Sequence, residues 1–276
     1  MSAIAILRRT YRDLSSKREA REFERFSPTL RVDPEAPGLL LSPHWDDAVL
    51  DCWGLLSTDR PLEVVNLFAG TPPEGTSTLW DSITGAGDSA ARTRERLSED
   101  AAALGLAGRT PVNLPLLDAQ YRDGNAPGMG RLDEALVARV SAASHVYAPA
   151  GIGSHPDHLL ARSYARTLLR LGMPVTLYAE LPYCVLHGWP HWVDSRRSEA
   201  TRDVDVFWRS FVGKLGEMPE LRDADVRRLD DEQAAEKLAA MRCYATQLPA
   251  LSYGARGLLE DPEINRYEVS WRLRAG

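Results

Sequence analysis

Leu39-Leu40-Leu41-Ser42-Pro43-His44-Trp45-Asp46-Asp47 is an apolar run that ends in one imidazole and two adjacent carboxylates. About a hundred residues later His155-Pro156-Asp157-His158 follows a second strand-like run, His145 to Pro149. A strand ending in His-x-Asp-Asp sets those side chains on the turn where strand becomes helix, the usual ligand position in an open α/β sheet. Ligands drawn from His and Asp suit zinc, and three of them leave a coordination position for water. The chemistry this implies is metal-assisted hydrolysis.

From Gly38 onward, apolar runs alternate with helical stretches, the pattern of βαβ units and a mostly parallel sheet. Strands are expected at Leu39 to Ser42, Leu62 to Phe68, Val112 to Leu116, His145 to Pro149 and Val175 to Glu180. Helices are expected near Asp47 to Leu56, Ala90 to Leu104, Arg131 to Ala142 and Pro156 to Leu171. The two motifs follow the first and fourth strands. In a doubly wound sheet those strands can be neighbours at the topological switch point, which would join both motifs in one crevice. The expectation is a Rossmann-like α/β fold with flanking helices and a C-terminal capping segment.

Three parts follow from this pattern: an N-terminal helical extension and linker over 1–36, a catalytic core over 37–185, and a capping segment over 186–276. Thr71 to Asp88, rich in Gly, Pro, Ser and Thr, reads as a long loop of the kind that contacts substrates. A helical stretch is expected from Asp231 to Ala245.

Composition narrows the class. A hydrophobic fraction of 44% and a charged fraction of 26% are those of an ordinary soluble globular protein. No apolar run approaches the roughly 18 residues of a membrane span. A net charge of −6 disfavours nucleic acid as the main partner. Cys52, Cys184 and Cys243 show no C-x-x-C spacing, so neither a disulfide framework nor a thiolate metal site is expected. The opening residues lack a sustained apolar stretch with a cleavage signal, so a cytoplasmic location is expected. No dinucleotide or P-loop fingerprint stands at a strand end.

The two motifs resemble those of the PIG-L/LmbE-type family of zinc-dependent N-deacetylases, marked by a His-Pro-Asp-Asp-Glu-like segment and a later His-x-Asp-His segment. Arg96-Leu97-Ser98-Glu99-Asp100 is similar to the family's Arg-x-x-Glu helix. Leu117 to Arg122 and Lys237 to Gln247 resemble a loop and a late helix of one branch. Trp45 stands where the family usually has Pro, and Ala48 where it commonly has Glu, as in a branch that carries Ala there. The resemblance implies that His44, Asp47 and His158 bind Zn2+ and that Asp46 is the general base on metal-bound water. It implies that His155 polarises the acyl oxygen, with Asp157 orienting or charge-tuning His155. The implied reaction frees an amine from a small, soluble N-acylated amino sugar or natural-product intermediate, most simply an N-acetyl compound.

Each residue also has a plainer explanation. Asp46 and Asp47 at a helix start could simply cap it. Arg96 is either a solvated helix residue or a substrate contact. Asp118, Arg122 and Asp123 form a polar loop at the carboxyl edge of the sheet, as substrate-binding groups or as turn residues near Gly124. Trp45 either walls the pocket, stacking on a sugar, or packs beneath it. Three other activities remain open: an amidase acting on a larger thiol-conjugate amide, a metal-dependent glycosyltransferase-like protein, and a non-catalytic sugar-binding module. Metal identity separates the transferase, which would take magnesium or manganese, from the zinc hydrolase.

Overall fold

The computed structural model describes residues 32–122, 129–194, 204–214 and 223–274. Leu39 to Leu41 are buried on both faces of the strand Gly38–Ser42 (β1), the signature of a central strand in a covered parallel sheet. β1 pairs in parallel with Leu62–Asn66 (β2) on one side and with His145–Pro149 (β4) on the other. β2 pairs with the short strand Pro111–Asn113 (β3), and β4 with Val175–Tyr178 (β5), both in parallel. The two motif-bearing strands are therefore adjacent at the switch point, and the Rossmann-like α/β expectation holds.

The sheet continues beyond β5. Tyr267–Arg272 (β7) adds antiparallel to β5, and Asp225–Arg228 (β6) adds antiparallel to β7, giving seven strands in the order β3-β2-β1-β4-β5-β7-β6. Both added strands come from the segment expected only to cap the core. β6 is the edge strand, Asp-Val-Arg-Arg, and its charged residues explain why no apolar run marks it.

Helices cover both faces. Asp47–Leu56 (α1) follows β1; Leu79–Ile83 (α2) and Ser89–Leu106 (α3) follow β2; Met129–Ser141 (α4) precedes β4; and Pro156–Arg170 (α5) follows β4. After β5 come Val204–Lys214 (α6), Asp231–Met241 (α7), Leu248–Gly254 (α8) and Pro262–Asn265 (α9). α2 interrupts the stretch read as loop. Its Thr78 and Asp81 form a reciprocal capping box, the local device that turns a Ser/Thr-rich segment into a helix start. α7 packs on both α1 and α3 and so fastens the C-terminal segment over the helix that carries Asp47. Among the described residues no helix is long and apolar enough to cross a membrane.

Candidate active site

His44, Trp45, Asp46 and Asp47 lie between β1 and the first turn of α1. Ser42 Oγ–H donates to the His44 carbonyl (2.5 Å), and the Ala48 N–H donates to the same hydroxyl (3.0 Å), so the turn is closed by its own side chain. Asp46 occupies the N-cap position with helical backbone angles, and its carboxylate caps nothing. Asp47 accepts instead from the backbone N–H of His44, at 2.7 Å. Capping therefore does not explain Asp46, whose carboxylate lies 3.9 Å from the Arg96 guanidinium.

The second motif starts α5. His155 is its N-cap residue, Nδ1 accepting from the Asp157 N–H at 3.3 Å. That contact makes Nδ1 the acceptor of the ring and Nε2–H its donor. Burial and the neighbouring His44 and His158 push the His155 pKa down to about 4, so the ring is neutral near neutral pH.

His44, His155 and His158 bring ligand atoms within 4.8 Å of one another, as do His44, Asp118, His155 and Asp157. Hydrogen bonding selects among these donors. His44 Nε2 faces Asp157 (3.2 Å), which leaves Nδ1 turned to Asp47 Oδ2 (3.4 Å). His158 Nδ1 faces Glu180 (3.2 Å), which leaves Nε2 turned to Asp47 Oδ1 (3.4 Å). Two imidazole lone pairs thus converge on one carboxylate, each ring held in its tautomer by a further carboxylate, an arrangement that serves metal ligands. His155, with Nε2 protonated, is left out of that set.

The charges agree with this choice. Burial works against a charged His44, yet Asp118, Asp157 and Asp47 outweigh it and raise the pKa well above its usual value; His158 is raised likewise by Asp47 and Glu180. Asp47 is driven the other way, since His158 and His44 overcome its burial and hold it low. The surrounding carboxylates thus favour positive charge at the two rings, a preference that a divalent ion with N/O ligands would also satisfy. Burial raises the Asp46 carboxyl, with Arg96 opposing.

Asp157 has more partners than the motif alone suggested. Its Oδ2 takes His44 Nε2 and the Ala119 N–H (2.9 Å), and its Oδ1 is paired with the Arg122 guanidinium. The carboxylate orients His44, and its charge also acts on His155, opposing the fall in that ring's pKa, while the Asp157 backbone N–H reaches His155 Nδ1. Arg122, expected at the substrate, instead braces Asp157, donates to the Leu117 carbonyl (2.6 Å) and lies over the Phe68 ring. Trp45, also expected at the substrate, is only 1% exposed. Its Nε1–H donates to Asn113 Oδ1 (3.0 Å), and the Arg96 guanidinium sits 4.7 Å above its ring. It packs beneath the site, held between Asn113 of β3 and Arg96 of α3. Asp123 lies outside the described residues.

A cavity of about 240 Å3 opens over these groups. His44, Asp46, Asp47, His155 and His158 line it together with Arg96 and Asp118. Asp118 is 3.7 Å from His44 Nε2 and 3.9 Å from Arg96; those two charges outweigh burial and keep its pKa low. The rest of the wall includes Trp80 of α2, in the stretch expected to contact substrates, and Gln247 and Leu251 of the capping segment beside and within α8; Gln120 and Tyr183 were not singled out from the sequence. Trp80 Nε1–H donates to Gln247 Oε1 at 2.8 Å, tying the segment after β2 to the C-terminal segment. Glu180, fully buried, was passed over because it reads as the polar end of a strand.

No protein-family model matches the chain. 2'-N-acetylparomamine deacetylase from Streptomyces fradiae is 33% identical over 160 residues, which make up 52% of this chain and 57% of that protein. The chain thus spans little more than half the length of this curated relative. Among solved structures, a deacetylase triple mutant of the teicoplanin biosynthetic pathway matches with a TM-score of 0.64 at 26% identity, covering 86% of this chain and 97% of that one. The zinc-inhibited form of teicoplanin deacetylase matches with a TM-score of 0.63 at 25% identity and the same coverages. These similarities of sequence and fold support the PIG-L/LmbE-type deacetylase family that the two motifs suggest.

Proposed function

We propose that this protein is a zinc-dependent hydrolase that removes an N-acyl group, most simply acetyl, from a small amino-sugar or natural-product intermediate, within the branch that carries Ala48 after the Asp pair. The observation that carries this reading is the convergence of His44 Nδ1 and His158 Nε2 on Asp47 beside the Asp46 carboxylate, which caps no helix N–H and faces Arg96. Held by His44, Asp47 and His158, zinc would supply an acidified water and draw electron density from the acyl oxygen.

Asp46 takes a proton from the attacking water, whose oxygen forms the new bond to the acyl carbon. As the carbonyl π pair moves onto oxygen, His155 donates from Nε2–H to the developing negative charge, acting as a neutral donor. Asp46 then returns its proton to nitrogen as the C–N bond breaks, releasing the amine and the carboxylic acid. Asp157 and Glu180 keep His44 and His158 in the tautomers that ligation needs. Arg96, supported on the Trp45 ring, holds Asp46 and Asp118 in place across the cavity.

Ligand pockets for drug-sized molecules run from about 300 to 1,000 Å3. At about 240 Å3 this cavity suits the reacting sugar ring, with the rest of the substrate outside. Asp118 and Gln120 offer hydrogen-bond partners for its hydroxyl or amino groups. The relatives named above deacetylate paromamine- and teicoplanin-type compounds by their own names, and we extend that substrate class to this chain. We place the protein in the cytoplasm, with 1–36 as an extension, 37–185 as the catalytic core and 186–276 as a capping segment.

The test is metal analysis of the purified protein, then acetate and amine release across N-acetylated amino sugars, aminoglycoside precursors and thiol conjugates. Zinc is varied from below to above one equivalent, because a related enzyme has a zinc-inhibited form. We expect about one zinc per chain and acetate release from an amino sugar. Full zinc loading with no amide turned over would refute the reading.

A further inference from the structure

Tyr183 lines the cavity on a short 3-10 turn, Tyr183–Val185, that follows β5. Three contacts fix it there. The Leu181 N–H donates to Asp51 Oδ1 on α1 (2.7 Å), and the Cys184 N–H donates to the Glu180 carbonyl (2.9 Å). The root of the ring rests on Gly153, where a Cβ would lie 2.4 Å from Tyr183 Cγ; only glycine permits this approach, and its φ of +90° also favours glycine. The ring then meets the His158 imidazole edge-on, with centroids 5.8 Å apart.

Wedged between Gly153 and a metal-ligand ring, the phenol carries its hydroxyl on the end away from Gly153. Among the described residues that hydroxyl has no hydrogen-bond partner, although the Asp100-bound phenol of Tyr244 shows that buried tyrosines of this protein do find one.

We infer that Tyr183, which lines the same cavity as His155, is a catalytic hydrogen-bond donor to the acyl oxygen in the hydrolysis proposed above. The inference rests on that proposed activity. During attack the water oxygen bonds to carbon and the carbonyl π pair moves to oxygen. Tyr183 shares its proton with that oxygen throughout and recovers it fully when the C–N bond breaks, so it gains and loses nothing. Two donors, His155 Nε2–H and Tyr183 O–H, then meet the oxygen as it gains a third lone pair and a negative charge.

The experiment compares Tyr183→Phe with the unaltered protein, both zinc-loaded, on an N-acetylated amino sugar that the unaltered protein turns over. Phe keeps the ring against Gly153 and His158 and removes only the hydroxyl. Loss of one such donor elsewhere costs about 10²–10³ in kcat. We expect a fall of about 10² in kcat, KM within about threefold, and unchanged zinc content. A merely structural ring would leave kcat intact, and a ground-state contact would raise KM alone; either result overturns the assignment. If the unaltered protein cleaves no N-acyl amine, both the activity and this role fall; if it is active and Tyr183→Phe matches it, only the role of Tyr183 falls.

Discussion

Replacing Glu180 by Gln isolates the carboxylate behind His158 at nearly constant volume. Glu180 Oε1 accepts from His158 Nδ1 (3.2 Å) and the Gly151 N–H (2.5 Å), and Oε2 accepts from the Ile152 N–H (3.1 Å). The single oxygen of Gln can keep the first two bonds. Its NH2 group then faces the Ile152 N–H, leaving a buried donor without an acceptor, at a cost of about 1–3 kcal/mol. Part of that is recovered because Gln is cheaper to bury than the charge, whose pKa burial already raises. Metal binding has no such offset. Losing a carboxylate behind a ligating imidazole typically costs about 10–100-fold in metal affinity, or about 1.4–2.7 kcal/mol. Competition with a chromophoric zinc chelator reads this directly, while melting of the metal-free protein reads the folding cost separately. We expect a zinc Kd weakened about 10–100-fold, a modest drop in the metal-free Tm, and kcat within severalfold at saturating zinc. An unchanged zinc Kd in the folded variant would refute the ligand geometry built on His158 Nε2.

Asp46→Asn should keep its zinc and lose about 10² or more in kcat, as removal of a general base does; near-normal turnover in zinc-loaded protein would exclude the assignment. His155→Ala should lower kcat with zinc content unchanged. Because its pKa lies near 4, His155 is neutral over the working range, so the alkaline limb of the pH profile should not move; a shifted limb would make it a cationic acid instead. Asp100 concerns stability: burial raises its pKa to about 7, against hydrogen bonds from Tyr244 (2.9 Å) and Asn66 (2.7 Å). A group raised on folding stabilises fully below its unfolded value near 3.9, and the contribution is lost as pH rises to about 7. Asp100→Asn should therefore gain on the unaltered protein between pH 5 and 8, by at most about 3 kcal/mol at 1.36 kcal/mol per unit; urea midpoints that differ equally at both pH values would contradict the shift.

Much of the architecture was legible along the chain because it is encoded over a few residues. α1 begins and ends where its periodicity does, and β4 spans the residues its apolar run marks. The candidate metal cluster was legible for a related reason: its donors fall at the ends of two strands, and a doubly wound sheet brings such ends together. β6 escaped because an edge strand buries too little to need an apolar run.

What a side chain does once it is there was a different matter. The same residues allowed Asp157 to serve His155 or His44, Trp45 to wall the pocket or underlie it, and Arg122 to meet a substrate or brace a carboxylate. Helix and strand patterns are local and leave those choices open, because each partner is set by contacts between segments far apart in sequence. The pairing of β4 with β5 carries Glu180 to His158, and the loop after β3 carries Ala119 and Arg122 to Asp157. The sequence by itself determined the five parallel strands of the sheet, their switch point and the donor types gathered there. Only the tertiary structure decided which lone pairs face inward and placed Glu180, Tyr183 and Trp80 around them, since a buried polar atom must take its partner from whichever distant segment packing brings within hydrogen-bond reach.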